Sequence, residues 1–285
     1  MAEIDSIIDA KLLATQLGRG DLRVVDCRSD LFDADKGRRD YLAGHIPGAV
    51  YADMDEDLAS EITPESGRHP LPDPEAFRRW LESCGIGDDT HVVAYDYGNG
   101  ALAARLWWML REWFGHSRVS VLDGGIAAWI AAGHEMDSKI PEYPRASFTG
   151  IPDETVIATT DEIAANVTAG RNPVLLDARE PGRFNGEHEP VDPVAGHIPG
   201  ARNVPLGLSL DEDGRWRNTA DIGSMWAQIT ANLDGEQPIV MCGSGVTACH
   251  LIISASIAGV GLPRLYVGSW SEWIRDSGRP VAVGQ

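Results

Sequence analysis

Short apolar runs alternate along this chain with longer stretches in which apolar residues recur at helical spacing. The clearest example is HVVAYD at 91–96, which is followed by LAARLWWMLREWF at 102–114. Alternating buried strands and helices are typical of a parallel sheet whose faces are covered by helices. The pattern therefore predicts an α/β fold.

An internal repeat divides this pattern into two halves. The segment AGHIPGA occurs at 43–49 and again, unchanged, at 195–201. Other apolar runs correspond in the same order: VVDCR at 24–28 with LLDAR at 175–179, and HVVAYD at 91–96 with PIVMC at 238–242. Such self-similarity indicates a tandem duplication. We therefore predict two domains, each a parallel sheet flanked by helices.

The domain boundaries follow from a proline-rich segment between the halves. The sequence KIPEYPRASFTGIPDETV, which starts at residue 139, has little periodicity and is typical of a linker. We predict a first domain over 1–138, a linker over 139–155 and a second domain over 156–285. A chain of 285 residues is long enough to form two cores.

The charge of the chain narrows the choice of partners. Its formal net charge is −19, and a negative field repels nucleic acid and anionic membranes. The amino-terminal sequence lacks a basic region, and the longest apolar stretch, at about 251–262, is too short for a bilayer-spanning helix. We expect a cytoplasmic protein with no nucleic-acid or membrane partner. An anionic substrate would need a local positively charged site.

Four cysteines occur at irregular spacing, which fits neither a disulfide framework nor a metal site. Free thiols and no bound metal are therefore expected. Cys27 lies in a predicted strand, Cys84 precedes a predicted turn, and Cys249 lies inside a predicted helix. We interpret these three cysteines as structural residues.

Cys242 differs from the others because it lies between a predicted strand and a predicted helix. The sequence PIVMCGSGVTACH at 238–250 reads as strand, glycine-rich turn and helix. Gly243 and Gly245 allow backbone conformations in which successive N–H groups point inward, and such a turn favours the nucleophilic thiolate. We predict that Cys242 is catalytic. The corresponding residue of the first half is Asp96, so only the second half can perform thiol chemistry.

These features together resemble the two-domain sulfurtransferases of the rhodanese superfamily. The resemblance is carried by the duplicated HIPGA segment and by CGSGVT at 242–247, and it covers nearly the whole chain. The loop is most similar to that of the 3-mercaptopyruvate sulfurtransferases, whereas thiosulfate-using members typically have a basic loop. The resemblance implies two rhodanese-like domains, of which the second is catalytic, and a persulfide on the nucleophile Cys242.

The resemblance also implies a Ser, a His and an Asp that handle the proton of the sulfur donor. These correspond to Ser244 in the loop, His69 in GRHPLP and Asp55 in ADMDED. A donor thiol loses its proton as its sulfur is transferred, and an imidazole held by a carboxylate can accept that proton. Without the resemblance, His69 would be interpreted as a histidine of a surface loop.

For the carboxylate of the donor, the resemblance implies two arginines in the second domain, and only one has a counterpart here. Arg183 matches the first, whereas Val191 occupies the place of the second. Losing one charge-assisted contact costs about 1.5–3 kcal/mol, roughly ten- to hundred-fold in binding, so we expect a high Michaelis constant. Arg179 follows a buried strand and is expected to pair with a nearby acid. A further departure is Val267, where the family pattern usually has Asp.

His45 and His197 both lie in the repeated AGHIPGA segment. Because an active and an inactive half share this histidine, we interpret both residues as structural. The proline fixes φ and the glycine relieves the turn, which makes the segment a rigid entry to the next strand.

Two other classes of function compete with sulfur transfer. A cysteine-dependent phosphatase needs an arginine after five further residues to bind the phosphate, and Ala248 stands there. The second is a non-catalytic sulfur carrier or binding module, and a binding module would be expected to lose the thiol, as the first half has done. The presence of Cys242 argues against it.

We therefore predict an enzyme that moves sulfur from 3-mercaptopyruvate through a Cys242 persulfide to a thiol, to cyanide or to a thioredoxin-like protein. Thiosulfate as the donor is the alternative. Arg183 would bind the donor, and no cofactor or metal is required. The persulfide anion would be stabilised by the backbone N–H groups of Gly243, Ser244, Gly245, Val246 and Thr247.

Overall fold

A computed structural model describes residues 4–171, 174–231, 233 and 235–284. These residues form two compact units. Unit 1 contains the described residues of Met1–Ser60, Leu71–Asp153 and Glu212–Trp216, and unit 2 contains those of Glu61–Pro70, Glu154–Asp211 and Arg217–Gln285. Residues 61–70 thus pack with the unit that holds the second half of the sequence. The domain ranges 1–138, 139–155 and 156–285 stay a prediction.

Unit 1 contains a five-stranded parallel sheet with the strand order β1-β5-β4-β2-β3. The strands are β1 (Ile7–Ile8), β2 (Leu22–Asp26), β3 (Val50–Tyr51), β4 (His91–Tyr95) and β5 (Val119–Leu122). The helices are α1 (Ala10–Gln16), α2 (Lys36–Ala43), α3 (Pro74–Ser83), α4 (Ala103–Trp108), which continues as a π-helix over Met109–Trp113, and α5 (Gly125–Ala131). Strand β2 is buried along its whole length, as expected for an apolar run that is covered on both faces.

Unit 2 repeats this architecture with the order β6-β10-β9-β7-β8. The strands are β6 (Ile157–Ala158), β7 (Leu175–Asp177), β8 (Arg202–Asn203), β9 (Ile239–Met241) and β10 (Arg264–Tyr266). The helices are α6 (Thr160–Thr168), α7 (Pro181–Phe184), α8 (Thr219–Thr230), α9 (Ala248–Ala258) and α10 (Ser269–Trp273), with 3-10 turns at Glu154–Val156 and Leu206–Ser209. The predicted α/β fold, with a parallel sheet flanked by helices in each half, is confirmed.

Local sequence sets where several helices begin. The Asp73 carboxylate accepts a hydrogen bond from the Ala76 N–H at 2.9 Å, and Pro74 occupies the first turn of α3. In unit 2, the Thr159 hydroxyl accepts from the Glu162 N–H at 3.2 Å and caps α6. These caps satisfy backbone donors that have no partner within the helix.

Each sheet packs its own apolar core. In unit 1 the core around β4 includes Leu13, Val93, Tyr95 and Trp129, and in unit 2 the core around β9 is built from Ile163, Ile198, Met241, Trp270 and Trp273. None of the helices in the described part of the chain is both long and apolar enough to cross a bilayer. The same residues contain no group of three or more His, Cys, Asp or Glu side chains placed to hold a metal ion.

Candidate active site

The cysteine loop, residues 242–247, joins the end of β9 to the start of α9 in unit 2. Gly245 has φ +75°, and a Cβ there would lie 2.3 Å from the carbonyl oxygen of Val267. Both the left-handed backbone and the close approach exclude a side chain. Val267 thus contributes its backbone to the turn, and nothing in the structure explains why its side chain is not Asp.

The cysteine loop is fastened to the start of α10. The Cys242 N–H donates to the Ser269 hydroxyl at 3.1 Å, and the Ser269 hydroxyl donates to the Tyr266 carbonyl at 2.8 Å. Ser269 has φ +52° and is the one non-glycine residue of the described chain in the left-handed region. Trp270 N–H donates to the Cys242 carbonyl at 3.1 Å, and Ser271 N–H donates to that of Gly243 at 2.9 Å. These contacts fix the backbone on which the thiol is carried.

Several N–H groups of the cysteine loop are left without an acceptor. Within the residues that the structure describes, no hydrogen bond is donated by the backbone N–H groups of Gly243, Ser244, Val246 or Thr247. Cys242 is buried, at 2% exposure, so these donors follow directly in the chain on a thiol that is shielded from solvent. Buried N–H groups without acceptors favour an anion at this position.

His69 lies beside the cysteine loop. Its Nδ1 is 2.8 Å from the Ser244 hydroxyl oxygen, a hydrogen bond between residues 175 positions apart in the sequence. The residues just before His69 are held against α10, where Gly67 N–H donates to the Glu272 carboxylate at 3.3 Å and Arg68 N–H donates to the Ser271 hydroxyl at 3.0 Å. The structure therefore brings Ser244 and His69 together, and a proton can pass between them.

Arg183 is held by two acidic side chains near the loop. Its Nε lies 3.0 Å from both carboxylate oxygens of Glu189, and its Nη2 lies 3.1 Å from Asp192 Oδ2. Burial raises the pKa of Glu189, but hydrogen bonds from Arg183 and from backbone N–H groups outweigh this, and its pKa is lowered. Burial also raises the pKa of Asp192, and there the nearby arginines only partly offset it.

Arg68 provides a second guanidinium at this place. Its Nη1 forms an ion pair with Asp192 Oδ1, so one buried carboxylate joins Arg68 and Arg183. A Cβ at Gly243 would lie 2.8 Å from Arg68 Nη2 and 3.5 Å from Arg183 Nη2. Both guanidinium groups therefore stand over the residue that follows Cys242.

Asp55 belongs to unit 1. Its side chain is exposed, and its backbone N–H donates to the Asp53 carboxylate at 3.0 Å. Its role beside Ser244 and His69 stays a prediction from the family resemblance.

The remaining three cysteines are buried or partly buried, and burial suppresses the thiolate of Cys27 and Cys84. Cys27 is fully buried, and burial raises its pKa well above the ordinary value. Burial likewise raises the pKa of Cys84 to about 12. Cys249 is fully buried in α9, with its Sγ 3.4 Å from the Gly245 carbonyl oxygen. These positions agree with the structural roles expected of all three.

The histidines of the repeated segment are packed as structural residues. His45 Nδ1 donates to the Tyr41 carbonyl and His197 Nδ1 to the Phe184 carbonyl, each at 2.8 Å, and each ring stacks on that aromatic side chain. The expected pairing of Arg179 is also confirmed, because its Nη2 lies 2.7 Å from Asp177 Oδ2.

Sequence reasoning missed Arg68, Asp192 and Ser269. Arg68 precedes His69 directly, and this adjacency to a suspected site residue was the one available signal for it. Asp192 and Ser269 act through contacts with Arg68 and Cys242 that join distant parts of the sequence. No local pattern marks such residues.

Comparisons with known proteins place the chain in a family. The family described as "Rhodanese-like domain" matches residues 9–132 and 159–276. A probable 3-mercaptopyruvate sulfurtransferase of Pseudomonas aeruginosa is 43% identical over 98% of both chains. A putative thiosulfate sulfurtransferase, SseB, of Mycobacterium tuberculosis is 37% identical over 98% of this chain and 97% of its own.

Solved structures agree with these matches. The 3-mercaptopyruvate sulfurtransferase from Leishmania major superposes with a TM-score of 0.82 at 34% identity and covers 94% of this chain and 74% of its own. SseA from Escherichia coli, described among the 3-mercaptopyruvate sulfotransferases, gives a TM-score of 0.80 at 32% identity over 94% of this chain and all of its own. The resemblance drawn from the sequence is confirmed: the chain belongs to the rhodanese-like family and carries one such domain in each half.

Proposed function

We propose that this protein is a sulfurtransferase that takes sulfur from 3-mercaptopyruvate onto Cys242 and passes it to a nucleophilic acceptor. One observation carries the proposal, namely that the buried Cys242 is followed by the backbone N–H groups of Gly243, Ser244, Val246 and Thr247, for which the described part of the chain provides no acceptor. Such a loop stabilises a negatively charged sulfur on Cys242. The activity named for the Pseudomonas aeruginosa relative supports the same class of reaction.

In the first step, the Cys242 thiolate attacks the sulfur of 3-mercaptopyruvate. A sulfur–sulfur bond forms, the carbon–sulfur bond breaks, and its electron pair leaves with the carbon fragment as the enolate of pyruvate. The proton of the donor thiol passes through Ser244 to His69, which are 2.8 Å apart, and returns to the enolate. Arg183 binds the carboxylate of the donor.

In the second step, the acceptor attacks the outer sulfur of the persulfide. The new bond forms to that sulfur, the sulfur–sulfur bond breaks, and the electron pair restores the Cys242 thiolate. The acceptor is cyanide, a small thiol or a thioredoxin-like protein, and the predicted cytoplasmic location would supply the last two. The chain's own residues suffice for both steps without a cofactor.

Thiosulfate is the second candidate donor, and the name of the Mycobacterium tuberculosis relative favours it. Thiosulfate is a dianion without a transferable proton, so it would gain nothing from Ser244 and His69. It would gain from positive side chains in the cysteine loop itself, and CGSGVT has none. We therefore favour 3-mercaptopyruvate.

Mass spectrometry after incubation with each donor tests the proposal. The peptide that contains Cys242 should gain one sulfur atom with 3-mercaptopyruvate, and the Cys242→Ser protein should gain none. The specificity constants for the two donors, measured with cyanide at one pH, then decide between them. A larger value for thiosulfate would replace 3-mercaptopyruvate as the donor, and no sulfur on Cys242 with either donor would refute sulfur transfer.

A further inference from the structure

Among the residues that the structure describes, two guanidinium groups, those of Arg68 and Arg183, face the start of the cysteine loop. A Cβ built at Gly243 would have Arg68 Nη2 at 2.8 Å, and Arg183 Nη2 and Nη1 at 3.5 and 3.7 Å, as neighbours. Gly243 follows the nucleophile directly in the chain. A donor whose sulfur meets Cys242 and whose carboxylate is only a few bonds away would therefore place that carboxylate near both side chains.

Asp192 holds the two guanidiniums side by side. One of its oxygens pairs with Arg68 Nη1, and the other lies 3.1 Å from Arg183 Nη2. The Asp192 side chain is only 3% exposed, whereas those of Arg68 and Arg183 are 20% and 18% exposed. The carboxylate thus closes the buried side of the pair and leaves the arginines reachable from solvent.

Each arginine keeps donors for a further anion. Among the residues that the structure describes, no hydrogen bond is donated by Arg68 Nη2 or by Arg183 Nη1. These two nitrogens are among the atoms nearest to Gly243. A guanidinium presents five N–H donors, so a single arginine can bind Asp192 and a second carboxylate together.

We propose that Arg68 binds the carboxylate of the sulfur donor together with Arg183. This inference rests on the proposed function and deepens it, because it assigns the second positive charge that Val191 does not supply. The side chain comes from residues 61–70, which lie far from Val191 in the sequence but within the same unit. The Michaelis constant for 3-mercaptopyruvate is then not raised by the absence of an arginine at residue 191.

Steady-state kinetics of Arg68→Gln tests this role. We expect the Michaelis constant for 3-mercaptopyruvate to rise about ten- to hundred-fold, the effect of losing one charge-assisted contact, with the turnover number nearly unchanged. Arg68→Lys should give an intermediate rise, because a lysine keeps the charge but lacks the planar fork. An unchanged Michaelis constant in Arg68→Gln would overturn the proposal.

Arg275→Gln is the matched control. Arg275 contacts the same segment, donating through Nε to the Ser66 carbonyl at 3.0 Å, and is exposed. If Arg68 only kept residues 61–70 in place, losing Arg275 should have a comparable effect. We expect its Michaelis constant to stay within about two-fold of the parent, since surface contacts are weak.

Asp192→Asn separates donor binding from anchoring. It removes the ion pair of Arg68 but keeps both guanidiniums, and it removes a negative charge that competes for their donors. Donor binding by Arg68 predicts a Michaelis constant that falls several-fold, whereas anchoring through Asp192 predicts a rise like that of Arg68→Gln. A rise of that kind would refute our assignment.

A binding measurement gives a readout without turnover. Pyruvate carries the carboxylate of the donor, and its affinity for the Cys242→Ser protein can be measured by calorimetry. Adding Arg68→Gln should weaken it about ten- to hundred-fold, and equal affinities would refute the role of Arg68. Failure of the proposed function itself looks different, because Cys242 of the unmodified sequence would then gain no sulfur even at saturating 3-mercaptopyruvate.

Discussion

The loop after β4 and the loop after β9 occupy equivalent places in the two units, but only one contains its own anion. In the aspartate loop, residues 96–102, the Asp96 carboxylate accepts hydrogen bonds from the N–H groups of Gly98, Gly100, Leu102 and Ala103 at 2.9–3.3 Å. In the cysteine loop the corresponding residue is Cys242, and among the described residues no acceptor is found for the N–H groups of Gly243, Ser244, Val246 and Thr247.

The difference shows what this strand–turn–helix arrangement does. Its N–H groups stabilise a negative charge, and in unit 1 the Asp96 carboxylate accepts their hydrogen bonds. In unit 2 the charge would appear only when the cysteine is a thiolate or carries a persulfide. The same loop of backbone N–H groups therefore has a structural role in unit 1 and would have a catalytic role in unit 2.

The two units agree where the fold alone is concerned. Asp26 and Arg28 in unit 1 form the same buried pair as Asp177 and Arg179 in unit 2, at 2.6 and 2.7 Å. The Asp–Arg pair that both halves share is thus buried and structural. The two halves differ in the residue that follows β4 and β9, which is Asp96 in unit 1 and Cys242 in unit 2. A duplicated chain supplies this control within one molecule.

The largest effect is expected from exchanging the two loop residues. Cys242→Ser should abolish sulfur transfer, and adding Asp96→Cys should not restore it, because Gly98 stands where the cysteine loop has Ser244. Cyanide-dependent assays and mass spectrometry of the cysteine peptides measure both. Cys249→Ser, whose thiol is buried in α9, should keep most of the activity, and equal losses in Cys242→Ser and Cys249→Ser would remove the distinction between the thiols.

The second-largest effect is expected from changing Ser244 and His69, the hydrogen-bonded pair beside the cysteine loop of unit 2. Ser244→Ala and His69→Gln should each lower the turnover number with 3-mercaptopyruvate about 10²-fold or more, the usual contribution of acid–base catalysis. Turnover of thiosulfate should change far less, because that donor has no proton to move. Parallel assays with both donors check this, and equal losses with both would show that the pair only maintains the shape of the loop.

The architecture followed from the sequence because it rests on local and repeated patterns. Apolar runs such as VVDCR and LLDAR mark buried strands, and the duplicated AGHIPGA fixed the number of domains. The position of Cys242 could also be predicted from the sequence, since its strand, turn and helix are contiguous. Each of these features can be recognised without knowing which distant segments meet.

The proposed carboxylate-binding site of Arg68 and Arg183 could be predicted only in part, because it depends on contacts between distant segments. Arg68 and Asp192 are 124 residues apart, and their pairing depends on residues 61–70 joining unit 2. Val191 led us to expect a site with a single arginine, because a missing residue is visible in the sequence while its replacement from another segment is not.

The third prediction concerns stability and tests the built-in anion of unit 1. Asp96 is buried, and Asp96→Ala would leave the N–H groups of the aspartate loop without their acceptor. Unsatisfied buried donors cost about 1–3 kcal/mol each, and partial rearrangement should limit the total to about 3 kcal/mol. Urea unfolding measures the loss, with Asp96→Asn as the milder variant. A loss below about 0.5 kcal/mol would mean that the carboxylate does not hold this loop.

The smallest predicted effect is a difference in how acid changes the stability of the two units. It concerns the residues at the starts of β4 and β9, the opposite ends from the two loops. Burial lowers the pKa of His91, at the start of β4, to about 4, and its Nε2 donates to the Ser120 hydroxyl at 3.0 Å. The corresponding residue before β9 is Gln237, which does not titrate in this range.

Protonation of His91 is penalised in the folded state, so its contribution to stability is present above about pH 6.5 and is lost as the pH falls toward 4. Because the ring is only partly buried, we expect this loss to amount to about 1 kcal/mol. His91→Gln, which copies the residue of unit 2, should remove that part of the loss, as measured by urea unfolding at about pH 7.5 and 4.5. If both proteins lost the same free energy of unfolding between these pH values, His91 would not be the group that distinguishes the two units in acid.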